Sequence, residues 1–97
     1  KFSFEGLEDA IAACKGHPVY FTIDLDVLDP SVFPGTGTPE AGGVTFLELL
    51  EAIKKVSVLD IVGMDINELS PPYDASGAST AVACKVLREL LLATAYQ

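Results

Sequence analysis

Two aspartates stand two residues apart in Thr22-Ile23-Asp24-Leu25-Asp26, directly after a run of apolar and β-branched residues. On an extended backbone their side chains project to the same side, so two carboxylates share one small volume. With no basic residue nearby in sequence, they repel one another unless a cation lies between them. A divalent metal is the economical partner. Hard oxygen donors suit Mg²⁺, Mn²⁺ or Ca²⁺, and added imidazoles would shift the choice toward Mn²⁺ or Zn²⁺. Asp29, followed by Pro30, fits a turn-forming role; Asp24, still within the apolar run, gains nothing from a turn.

A second acidic cluster runs from Asp65 through Asn67 and Glu68 to Asp74. If the two apolar runs are parallel strands, Glu68 emerges at the sheet edge that carries Asp24 and Asp26. A carboxylate there that no metal needs can pair with a cationic group, and a planar guanidinium offers matched bidentate geometry. The plainer reading is a loop-exposed glutamate. His17, the one histidine, precedes Pro18 at the opposite end of the first strand and is read as structural or solvent-facing. Cys14 and Cys84 lack a Cys or His partner at metal-binding spacing and read as reduced, buried residues.

The elements that must position these acids follow from periodicity. Leu7, Ala10, Ile11 and Cys14 trace one helical face over roughly 5–15, with Gly16 as a stop. Val19 to Ile23 reads as a strand buried on both faces. Asp29 to Gly43 is too rich in proline and glycine for a regular element and reads as a long functional loop. Thr45 and Glu48 form a capping box opening a helix to about Lys55. Leu59 to Ile66 returns to a strand, and a second loop leads into a helix from about Gly77 to Ala95 that is expected to pack on two sides. Such alternation argues for a parallel α/β sheet. Two strands make no stable sheet alone, so these 97 residues are expected to be a piece of something larger.

Composition narrows the partners. Six basic against fourteen acidic residues leave a net charge of −8, which argues against nucleic acid and anionic membranes and in favour of cations. A hydrophobic fraction of 49% with mean hydropathy +0.39 is rich for a small domain and fits missing neighbours. No apolar run is long enough to span a bilayer, so a soluble chain is expected.

The run Asp24-Leu25-Asp26-Val27-Leu28-Asp29-Pro30, continued by Pro34-Gly35-Thr36-Gly37-Thr38-Pro39-Glu40 and Gly42-Gly43, resembles the third metal-binding signature of the ureohydrolase (agmatinase/arginase) family. Gly63 to Pro71 and Asp74-Ala75-Ser76-Gly77 continue the resemblance in the right order. It implies an arginase-like three-layer α/β/α fold with a parallel sheet, of which residues 1–97 would be the C-terminal segment of a single domain. It further implies manganese-dependent hydrolysis of a guanidino substrate with release of urea. By the same resemblance Asp24 bridges two Mn²⁺ ions, Asp26 binds one, Glu68 holds the substrate guanidinium and Thr38 contacts the substrate. The family's other metal ligands lie in earlier segments that do not occur here, so these residues alone are expected to be inactive. Pro39-Glu40-Ala41-Gly42-Gly43 and Leu69 to Asp74 are more similar to agmatinases, which implies conversion of agmatine to putrescine and urea. Arginine, guanidinobutyrate and formiminoglutamate stay open as substrates, as does a non-catalytic ureohydrolase-like scaffold. The family also implies a cytoplasmic homo-oligomer, a trimer or hexamer.

Overall fold

The computed structural model describes residues 4–95. Helix α1 spans Glu5–Cys14, strand β1 Pro18–Asp24, helix α2 Phe46–Val56, strand β2 Asp60–Asn67 and helix α3 Ala78–Ala95. Short 3₁₀ turns occupy Leu25–Val27 and Pro71–Tyr73. Helix α2 begins with the capping box expected of its sequence. The Thr45 hydroxyl accepts from the Glu48 amide at 3.1 Å, and the Glu48 carboxylate accepts from the Thr45 amide at 2.9 Å. Lys54 and Lys55 in its last turn complement the helix dipole.

Strands β1 and β2 pair in parallel, with Thr22 opposite Asp65 and Asp24 opposite Asn67; a bulge interrupts the register between Val19 and Tyr20. The inner face of this sheet carries Phe21, Ile23, Met64 and Ile66 against α2 and α3, while Val19, Phe21 and Ile61 meet α1. The best-buried apolar side chains are Phe33, Leu25, Leu28, Ile53, Leu90 and Val86. Burying each contributes about 1.5–3 kcal/mol, and three of them belong to the segment that begins at the end of β1. That segment is therefore pinned to the core by its own leucines and phenylalanine.

Four sequence expectations need correction. β1 is not buried on both faces: Tyr20 is 62% exposed, and Tyr20 and Thr22 form a polar outer face that no described element covers. The three described helices pack on the other face of this two-stranded portion of the sheet. Helix α3 buries a single stripe, Ser79, Ala83, Val86 and Leu90, and leaves Leu87, Leu91 and Leu92 exposed. Cys84 lies on the exposed side of α3, and Cys14 is half-buried; both are free. Finally, the backbone does not stay extended through Asp26, because Leu25 and Leu28 are three apart and both seek the core, a spacing that a 3₁₀ turn satisfies and a strand does not.

The long loop after β1 closes on itself. Leu28 bridges Val44 in parallel, the Asp29 amide donates to the Val44 carbonyl, and the Val44 amide donates to the Val27 carbonyl, each at 2.9 Å. A Cβ at Gly43 would lie 2.5 Å from the Asp29 amide nitrogen, so only glycine lets the two ends approach this closely. None of the described helices is long and apolar enough to cross a membrane.

Candidate metal and substrate site

Asp24 is the last residue of β1, exposed at its carboxyl end. Its carboxylate receives no hydrogen bond from any described residue. Asp26 follows inside the 3₁₀ turn, half-buried, with one oxygen accepting from the Thr38 hydroxyl at 2.7 Å. The long loop thus folds back over twelve positions to set Thr38 beside Asp26. Glu68 lies one residue past Asn67, the register partner of Asp24, and so emerges at the same end of the sheet. It has φ 79°, a left-handed backbone unusual for a residue with a Cβ, and no described residue donates to its carboxylate. All four residues singled out by sequence therefore gather at the carboxyl end of the parallel strands, where open α/β sheets bind ligands.

Other aspartates close to this end behave differently. Asp29 accepts from the amide and hydroxyl of Ser31 and from the amides of Gly42 and Gly43. The Ser31 hydroxyl and then these amides lower its pKa from the ordinary 3.8. Asp74 accepts from the amide and hydroxyl of Ser76 and from those of Ser79, and the Ser76 hydroxyl, followed by Ser79, pulls its pKa far down. Asp65 lies on the outer face of the sheet, taking hydrogen bonds from Thr22 at 2.6 Å, Tyr20 at 2.7 Å and the Asn67 amide. Thr22 and then Tyr20 lower its pKa, and the bond to Asp65 in turn raises that of Tyr20. These three carboxylates are saturated by their own surroundings and have a structural role already.

What remains at the mouth is anionic and unneutralised. The described ion pairs join Lys55 to Glu8, Lys85 to Glu89 and Arg88 to Glu89, all on helices, and none reaches Asp24, Asp26 or Glu68. His17 is exposed at the far end of β1, its amide donating to the Cys14 carbonyl. Asp24 and Asp26 offer oxygen donors of the kind hard divalent ions take, so the donor type fits manganese. Their number does not complete a site: among the described residues no group of three or more His, Cys, Asp or Glu side chains could hold a metal. Sequence reading passed over Ser79, whose role needs three-dimensional proximity, and over the Tyr20–Thr22–Asp65–Asn67 network. That network did leave a signal, polar residues alternating with apolar ones in both strands.

A sequence model of the Arginase family matches residues 4–93. The chain is 48% identical to agmatinase from Bacillus anthracis over 90 residues, which cover 91% of this chain and 31% of that protein. It is 46% identical to guanidinopropionase from Pseudomonas aeruginosa over 90 residues, 89% of this chain and 28% of the relative. The solved structure of proclavaminate amidino hydrolase from Streptomyces clavuligerus superposes with a TM-score of 0.83 at 42% identity, over 93% of this chain and 30% of that one. The parallel α/β arrangement expected from the sequence is thus the one this solved relative has. The chain spans less than a third of the length of these relatives. Because the match to the family runs through nearly all the described residues, this chain belongs to the Arginase family.

Proposed function

We propose that the full-length protein bearing this chain is a manganese-dependent ureohydrolase, and that the chain supplies part of its metal and substrate site. The observation that carries the proposal is the trio Asp24, Asp26 and Glu68, gathered at one end of the sheet with no described cation to offset them. In this reading Asp24 and Asp26 hold manganese together with donors from outside the described residues. The Thr38 hydroxyl orients Asp26 through its 2.7 Å hydrogen bond and lies beside the substrate. The Glu68 carboxylate pairs with the guanidinium, whose planar donors it can accept in parallel. Manganese, when bound, supplies a more acidic water at neutral pH. Addition of water at the guanidinium carbon breaks its bond to the alkyl nitrogen, which leaves as the amine while the carbon departs in urea.

Agmatine is the preferred substrate in this proposal, with putrescine and urea as products of a step in polyamine formation. The guanidinopropionase relative supports a second reading, in which the substrate carries a carboxylate instead of an amine at its far end. The protein is proposed to act in the cytoplasm as a homo-oligomer, trimer or hexamer, on a small cationic molecule and not on nucleic acid or membranes. The test is urea release by the manganese-loaded full-length protein from agmatine, guanidinobutyrate, guanidinopropionate, arginine and formiminoglutamate. Agmatine is expected to give the highest kcat/KM, and absence of urea from all five would refute the activity.

A further inference from the structure

Ser79 is fully buried, and the chemistry of its neighbours fixes its proton. The Gly35 amide can only donate, so the Ser79 hydroxyl must accept from it, at 2.8 Å. Its own hydrogen is thereby directed to Asp74 Oδ2, 2.6 Å away. The Gly35 carbonyl in turn accepts from the Ser70 amide at 2.7 Å. One residue of the long loop is therefore gripped at both backbone groups by the segment that follows β2. A methyl at Gly35 would lie 2.6 Å from Ser79 Cβ and 2.8 Å from its hydroxyl oxygen, so the crossing is closed to any side chain. Among the described residues no other hydrogen bond joins these two loops. Thr38 is three residues beyond Gly35, and Glu68 two before Ser70.

We infer that Asp74, Ser79 and Gly35 form a positioning clamp that sets the separation between Glu68 and the Asp26–Thr38 pair, and with it the fit of a guanidinium between them. The inference rests on the proposed reading of Glu68 and Thr38 as substrate groups. The clamp touches no substrate itself. It acts because each loop carries one recognition group and the loops meet at a single hydrogen-bonded crossing. Misplacement at a site of this kind is felt in binding and rate well before the fold is lost.

Ser79→Ala in the manganese-loaded full-length protein removes the hydroxyl and keeps the Cβ. KM for the hydrolysed guanidino compound is expected to rise about 10-fold and kcat to change less than about threefold, with manganese content unchanged. Hydrogen exchange at the Gly35 and Ser70 amides is expected to accelerate while the sheet stays protected. A role in stability alone would lower the melting temperature and leave KM where it was, so a folded Ser79→Ala protein with wild-type KM overturns the clamp. Asp74→Asn carries the same test with an expected rise of about threefold if Ser79→Ala does not fold. Should the wild-type protein release no urea, the functional reading falls by itself. Exchange then decides the clamp: acceleration in both loops supports it, and an unchanged Gly35 amide refutes it.

Discussion

Asp24 ends strand β1 and Asp74 lies in the segment that follows β2, yet the Asp74 carboxylate accepts four hydrogen bonds from Ser76 and Ser79 and that of Asp24 accepts none from the described residues. Asp29 belongs with Asp74, and Glu68 with Asp24. A carboxylate whose lone pairs are filled by its own loop is a structural anchor, held ionised by those donors. One left bare beside another anion raises the energy of the empty site and lowers it again only when a cation arrives. Charge type alone does not separate the two groups; the hydrogen-bond donors that reach each carboxylate do.

The largest effect expected from this comparison is functional. Asp24→Asn or Asp26→Asn in the full-length protein should lower urea release by more than the ~10–100-fold typical of groups that only support a metal ligand. Melting temperature of the metal-free protein should be unchanged or higher, since a repulsion has been removed. A loss of metal-free stability comparable to that of an anchor would erase the distinction. Asp74→Asn should act first on stability, lowering the melting temperature by about 3–8 °C, read by calorimetry, with only its small rise in KM beside it.

That anchor also carries a pH signature. The folded pKa of Asp74 lies below its unfolded value of 3.8, so between the two the unfolded chain binds more protons and folding weakens as pH falls. The stability advantage of wild type over Asp74→Asn should be full above pH 3.8 and shrink as acid carries it down toward the folded value. Denaturation of both proteins across that range checks it, and an advantage independent of pH would exclude Asp74 as its source. The smallest effect, a neutral control away from both groups, is Thr45→Ala. Loss of the α2 cap should cost about 1 kcal/mol in denaturant unfolding and leave urea release unchanged.

Much of this was legible in the residues, where a local rule governed the outcome. The α2 cap could be read from Thr45 and Glu48 because both partners lie within one turn. The parallel order could be read from helix and strand alternation, and it alone brought Glu68 to the edge with Asp24. The turn at Leu25–Val27 was missed because Asp24 and Asp26 suggest a period of two while the buried leucines impose a period of three. The exposed outer face of β1 was missed because Tyr20 reads as one more aromatic strand residue, which leaves Thr22 as the single polar position within the run. Ser79 gave no signal, since its partners Gly35 and Asp74 are 44 and five residues away and only the folded crossing unites them.

The left-handed turn at Glu68 has a consequence for how such a protein can be improved. Its backbone would be most comfortable with glycine, so the polypeptide holds a charged side chain at a place where conformation argues for none. Selection for heat resistance alone would drift toward replacing that glutamate and, on the role proposed for Glu68, would give up guanidinium recognition in gaining robustness.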